Sequence, residues 1–189
     1  MTALDVVIMA AGKGTRMKSS MPKVLHPLAG KPLVQHVIDT AHALHTRRTI
    51  LITGHGAEIV EPLLQKAYPQ TALQFAKQMP QLGTGHAVQQ ALPLLDDDGV
   101  VVVLSGDVPL TQADTLQALI KACDGKNLAL LTIDFEDPTG YGRIVRGFDH
   151  QVHDIIEHKD ANELQREIDR KSTRLNSSHT DISRMPSSA

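Results

Sequence analysis

Three groups of residues in this 189-residue chain have types suited to handling phosphate. The first is Ala10-Ala-Gly-Lys-Gly-Thr-Arg-Met17, where small residues let backbone amides approach an anion while Lys13 and Arg16 supply charge. The second is Lys23, directly after Pro22. The third is Asp107, which follows the apolar run 100–104 through Ser105-Gly106; a carboxylate there can hold Mg²⁺ between nucleotide phosphates. Each also has a plainer reading: a glycine-rich turn with solvated cations, a surface lysine, and an aspartate capping the turn after a strand. Two familiar glycine motifs fail. GxxxxGK[ST] needs glycine where Met17 precedes Lys18-Ser19, and GxGxxG meets Met17 at its last position.

Other constellations are weaker. Ten histidines include no HExxH, and the pairs His42/His45 and His150/His153 lack a carboxylate partner in helical register, so no zinc site is expected. Asp96-Asp-Asp98 before Gly99 reads as a solvated loop leading into a strand. Lys plus Arg number 19 against 21 Asp plus Glu, Trp is absent and aromatics total five, which argues against a nucleic-acid partner. Cys123 is the only cysteine, so no internal disulfide forms and a buried, inert thiol is expected. Asp5 stands before the first apolar run with no basic leader, and no stretch is long enough to cross a bilayer. Together these predict a cytoplasmic protein without a membrane partner.

The elements that must position these residues follow from periodicity. Runs 5–9, 49–53, 100–104 and 128–135 read as strands, with a further strand at 72–76. Segments 32–44, 57–67, 85–95 and 111–122 carry apolar residues at helical spacing, with Pro32 suited to a first turn and Thr111-Gln-Ala-Asp114 patterned as a capping box. Such alternation predicts an α/β fold: a mostly parallel sheet, helices on both faces, ligands beyond the carboxyl ends of the strands. The stretches 143–146 and 151–157 predict a hairpin after the turn Asp137-Pro-Thr-Gly-Tyr-Gly142.

Serine usage divides the chain. Residues 1–170 hold only Ser19, Ser20 and Ser105, whereas 171–189 hold six serines in 19 positions and no apolar periodicity. The expectation is one domain over 1–170, incomplete at its C-terminal end, and a disordered tail over 171–189 that resembles a translated adaptor or vector junction.

Ala10 to Met17 followed by Pro22-Lys23-Val-Leu resembles the signature of sugar-1-phosphate nucleotidylyltransferases. Gln81-Leu-Gly-Thr-Gly-His-Ala87, Gly106-Asp-Val-Pro-Leu110, Asp137-Pro-Thr-Gly-Tyr-Gly-Arg-Ile144 and Glu157-His-Lys-Asp-Ala161 resemble the bacterial N-acetylglucosamine-1-phosphate uridylyltransferase branch, the N-terminal half of a bifunctional enzyme. The resemblance covers residues 4 to about 168. It implies a Rossmann-like nucleotidyltransferase fold, truncated here, that joins UTP and N-acetylglucosamine-1-phosphate into UDP-N-acetylglucosamine and pyrophosphate with Mg²⁺ as cofactor.

The resemblance also implies roles. Met9, Ala10, Ala11 and Gly12 place backbone against the nucleotide, Arg16 stabilises transition-state charge, and Lys23 holds phosphate near the point of attack. Asp107 is the implied metal ligand within the substrate-contacting Ser105-Gly106-Asp107. The relatives more often carry Tyr where Ser105 stands. Gln78 aligns with a base-reading glutamine, and Gly83 and Thr84 open a helix around uracil. Gly142 and Glu157 are the implied N-acetylglucosamine contacts. Relatives read Glu-Ile-Asn-Thr-Gly where this chain reads Glu167-Ile-Asp-Arg-Lys171, so two later asparagines, one for the sugar and one for the metal, have no counterpart. The acetyltransferase region that assembles the parent as a homotrimer has none either. Two other readings stay open: a nucleotidylyltransferase for another sugar phosphate, and a nucleotide-binding fragment without turnover.

Overall fold

The computed structural model describes residues 3–14, 17–125, 127–133, 136–147, 151–167 and 181–183. Its strands are β1 (Leu4–Met9), β2 (Pro27–Leu28), β3 (Lys31–Pro32), β4 (Arg48–Thr53), β5 (Leu73–Lys77), β6 (Val100–Ser105), β7 (Ala129–Leu130), β8 (Arg143–Arg146), β9 (Val152–Ile156) and β10 (Asp181–Ser183). The helices are α1 (Leu33–Ala43), α2 (Ala57–Ala67), α3 (Thr84–Gln89), α4 (Ala113–Cys123) and α5 (Glu163–Glu167). The chain divides into two compact units, 1–129 with 180–189, and 130–179.

In the first unit the strand order is β5-β4-β1-β6, followed by β10 and β7. The first four strands are parallel, with Val7 opposite both Ile50 and Val103, and Leu51 opposite Phe75. β10 runs antiparallel to β6 and pairs Ile182 with Val102. It is the only part of the serine-rich tail that the structure describes; the rest of the segment expected to be disordered lies outside the described residues.

Alternation along the strands sorts the core onto two faces. Val7, Ile50, Ile52 and Val103 meet Ala87 and Ala91 from the α3 region in one buried cluster. On the opposite face Leu104, Val37 of α1 and Leu116 of α4 line a small recess with Thr40, Ser105, Val108 and Thr111. The burial of Val6, Ile8, Leu51, Val102 and Leu104 below 4% exposure explains why β1, β4 and β6 read as continuous apolar runs. Cys123 is buried as expected, and its Sγ lies 2.9 Å from the Asn127 carbonyl.

Several sequence expectations need correction. The run 128–135 yields only the two residues of β7 as strand, with Leu128 and Ile133 exposed, because β7 lies at the sheet's edge with one neighbour; 134 and 135 lie outside the described residues. The helix expected over 85–95 stops at Gln89, and a 3-10 turn at Leu92–Leu94 takes over because Pro93 has no amide to donate. Pro32 is the N-cap of α1 and not its first helical residue. Thr111-Gln-Ala-Asp114 forms no capping box: Gln112 is the N-cap of α4 with no side-chain bond, and the Thr111 carbonyl instead faces the Thr40 hydroxyl at 3.4 Å. β2, β3 and α5 were not foreshadowed by periodicity, being too short to display one.

Asp96 to Asp98 is also more than a solvated loop. Asp5, 1% exposed at the amino end of β1, accepts a bidentate pair of bonds from Arg47 at 2.9 and 2.6 Å and faces Arg48 Nε at 3.3 Å. Arg47 reaches on to Asp98 at 2.8 Å, and Arg48 bonds Asp96. Arg47 therefore holds Asp98 below the usual carboxylate range. This lattice ties β1, β4 and the loop before β6 together at the sheet edge where those strands begin.

In the second unit β8 and β9 form the expected antiparallel hairpin, Arg143 opposite Ile156 and Ile144 opposite Ile155, with an irregularity between Val145 and Arg146. Ile144 is fully buried there.

Candidate functional site

Four strands of the parallel sheet end in one row. The register sets Met9 opposite Ile52 and Ser105, and Thr53 opposite Lys77. Backbone bonds carry the alignment into the loops: Ala10 N–H donates to Ile52 at 2.8 Å, Gln78 N–H to Thr53 at 2.8 Å, and Gly106 N–H to Met9 at 2.9 Å. The loops after β1, β4, β5 and β6 are thereby brought side by side, at the carboxyl edge where parallel sheets bind ligands.

The residues expected from sequence in the first unit fall on these loops. Met9 closes β1; Ala10 and Ala11 are buried at 4% and 5%, while Gly12 and Lys13 are exposed. Two close contacts shape the floor. Gly54 leaves no room for a side chain, since a Cβ would lie 3.0 Å from that of Ala11 and 3.2 Å from the Gln78 carbonyl. Gly56 is left-handed (φ +75°), and its Cβ would lie 2.5 Å from Cγ of buried Pro22. Gly56 thus fixes Pro22, which caps the 3-10 turn Lys23–Leu25 and aims Lys23. Gly56→Ala is expected to cost about 1–2 kcal/mol from the left-handed backbone alone, with a further loss from the forced movement of Pro22. Thermal unfolding of the variant checks this; an unchanged unfolding temperature would contradict it.

Lys23 Nζ forms an ion pair with Asp107 Oδ2, their side chains 41% and 22% exposed. The Ser105 hydroxyl donates to Asp107 Oδ1 at 2.7 Å. Burial works hardest against ionising Asp107, but the bonds from Lys23 and Ser105 together outweigh it and hold the carboxylate below its usual range. A negative Asp107 therefore stands at neutral pH beside a cation, at the end of β6. Ser105 takes part by orienting this carboxylate.

Gln78, 4% exposed, donates from Nε2 to the Gly83 carbonyl at 2.8 Å and lies 3.2 Å from Nδ1 of His86. Gly83 and Thr84 are exposed at the start of α3. Sequence reasoning gave no role to Gln81, whose side-chain amide bonds the Ala11 carbonyl and clasps the β5 loop to the β1 loop. It missed His86, Gly54 and Gly56 as well. Gln81 and His86 stand inside the Gln81–Ala87 motif, which is the signal that could have found them.

Three expected residues lie outside the described part of the first unit. Arg16 lies outside the described residues. Gly142 and Glu157 belong to the second unit: Gly142 is buried just before β8, with ordinary space at its Cβ (3.6 Å from the Ile156 carbonyl), and exposed Glu157 follows β9 and accepts backbone bonds from Asp160 and Ala161 at 2.9 and 3.0 Å.

Hard oxygen and ammonium groups arrayed on the carboxyl edge of a parallel sheet, beside glycine-bearing loops, are the equipment of a nucleotide-handling α/β domain. The chain belongs to the MobA-like NTP transferase domain family, which it matches over residues 6–173. It is 62% identical over 169 residues to the bifunctional protein GlmU of Paracidovorax citrulli, covering 89% of this chain and 36% of that protein. The chain thus spans about a third of the length of the curated relatives it matches. Among solved structures, HddC of Yersinia pseudotuberculosis is 25% identical with a TM-score of 0.72, covering 96% of this chain and 76% of its own. A UDP-glucose pyrophosphorylase solved with UDP-glucose is 17% identical with a TM-score of 0.74, covering 95% and 75%, and shares the fold. No described helix is long and apolar enough to cross a membrane.

Proposed function

We propose that the chain is the uridylyltransferase portion of a bifunctional enzyme and catalyses attack of N-acetylglucosamine-1-phosphate on UTP. The observation that carries this reading is the Lys23–Asp107 pair standing with the small-residue loop 10–14 on one edge of the sheet. The motif resemblance supports uridine and N-acetylglucosamine over other partners, and the identity to proteins named bifunctional protein GlmU supports one portion of a bifunctional enzyme.

A phosphate oxygen of the sugar phosphate forms a bond to the α-phosphorus of UTP, the bond from that phosphorus to the bridging oxygen breaks, and pyrophosphate leaves. Catalysis is alignment and charge stabilisation, with no covalent nucleophile. Met9 to Gly12 bring backbone to the nucleotide, and Gln78, Gly83 and Thr84 surround the base. Lys23 exchanges Asp107 for a phosphate oxygen as substrate arrives, so in the resting site the two charges neutralise one another. Arg16 stabilises the charge that develops, and Gly142 and Glu157 contact the sugar.

Mg²⁺ fits this donor set in one respect: Asp107 is a hard, ionised oxygen ligand, and Mg²⁺ is commonly held by one or two carboxylates together with substrate phosphates. No group of three His, Cys, Asp or Glu among the described residues is placed to hold a metal. Asp107 would therefore hold the ion jointly with the nucleotide. When bound, Mg²⁺ supplies neutralisation of phosphate charge.

The test is pyrophosphate release from UTP, ATP, CTP, GTP and dTTP, each with N-acetylglucosamine-1-phosphate and Mg²⁺. UTP is expected to be fastest by at least about tenfold, the value of one lost base contact. Equal release from another nucleotide would reassign the base. UTP binding without release would make the chain a binding fragment.

A further inference from the structure

We infer that His86 is a positioning residue for base recognition: it fixes the amide of Gln78 so that Oε1 is presented as an acceptor. The inference rests on the proposed role of Gln78 as base reader. A carbonyl oxygen only accepts, so the Gln78 atom 2.8 Å from the Gly83 carbonyl is the amide nitrogen. The same nitrogen has a second hydrogen, and His86 Nδ1 lies 3.2 Å from it. Nδ1 is therefore the acceptor, and the neutral ring carries its proton on Nε2. With both amide hydrogens engaged, Gln78 has one group left to offer, its Oε1, which meets no donor among the described side chains.

The side of His86 away from Gln78 is closed by Gln90, whose Nε2 donates to the His86 backbone carbonyl at 3.0 Å and lies 3.3 Å from ring Nε2. Gln90 is only half-buried, so its amide can swing off the ring and leave room for the Nε2 proton. Gln78 has no such freedom: it is 4% exposed, and turning its amide would set its oxygen against the Gly83 carbonyl.

An acceptor left unengaged selects by base chemistry. Uracil carries a donor at N3 and satisfies Oε1, whereas cytosine carries a lone pair at N3 and repels it. Without an acceptor at position 86, the second amide hydrogen loses its partner and the amide is held by the Gly83 bond alone. His86 thus acts through Gln78 and needs no contact with the nucleotide.

The experiment is equilibrium titration of UTP and of CTP, with Mg²⁺, into the wild-type chain, His86→Leu and His86→Asn, with thermal unfolding of each. Asn offers an oxygen acceptor near the position of Nδ1; Leu offers none. His86→Leu is expected to weaken UTP binding about tenfold, the value of one neutral hydrogen bond, and to shrink the preference for UTP over CTP. His86→Asn is expected to restore both. A wild type that prefers UTP, with a His86→Leu variant that keeps the same preference, overturns the inference alone. Equal loss in the Leu and Asn variants also overturns it. A wild type that binds CTP as well as UTP overturns the uridine reading and this inference with it.

Discussion

Asp107→Ala is expected to lower kcat for the proposed uridylyl transfer about 10²–10³-fold, the range seen when a charge-stabilising group is removed from a reaction centre. The argument is local. Asp107 stands at the end of β6 with Ser105 on one oxygen and Lys23 on the other. Its loss removes the carboxylate proposed to hold a metal and leaves Lys23 without its ion-pair partner. Because the Lys23 side chain is 41% exposed, the pair adds little to stability once solvent screening is counted, and the unfolding temperature should barely move. Activity and stability are thereby separated. Asp107→Asn keeps the shape and an acceptor for Ser105, and should show the same loss because it lacks the charge. An unchanged kcat at limiting Mg²⁺ would remove Asp107 from the reaction.

Asp5→Ala is the counterpart at the other edge of the sheet: large on stability, small on chemistry. Breaking a buried ion pair by removing one partner costs about 3–5 kcal/mol when the other charge is stranded. Here Arg47 and Arg48 keep 28% and 21% exposure and retain Asp96 and Asp98, so the lower end, about 3 kcal/mol, is expected. For a chain of this size that is a fall of roughly 6–12 °C in Tm. Asp98→Asn should do almost nothing, since that side chain is 72% exposed. A shift of less than about 2 °C for Asp5→Ala would show that the arginines are satisfied without it.

The residues that make the site legible in sequence are those whose spacing is itself structural. Val100 to Leu104 announces a strand buried on both faces, which makes Asp107 after it a credible metal group by position, and the small residues after Met9 announce a loop at the end of the first strand; Lys23 stands out only through the motif around it. What remained hidden is what depends on partners distant in the chain. Asp5 and Arg47 are 42 residues apart, and only the parallel pairing of β1 with β4 makes them neighbours. Gln81 and Ala11 are 70 apart and meet because two strand ends are level. Gly56 looks like an ordinary helix-preceding glycine until Pro22 lies against it. Pro93 shows the converse: the apolar period runs through it unbroken, and the missing amide overrides the period. Thr111 to Asp114 matches a cap by pattern alone, whereas the backbone starts the helix one residue later.

The most direct test of the central claim is a crystal structure of the chain with UTP and Mg²⁺. The triphosphate should lie over residues 9–12 with Lys23 turned from Asp107 to a phosphate oxygen, a metal ion between Asp107 and the phosphates, and the uracil beside Gln78. A nucleotide bound elsewhere, or one that leaves the Lys23–Asp107 pair intact, would contradict the account.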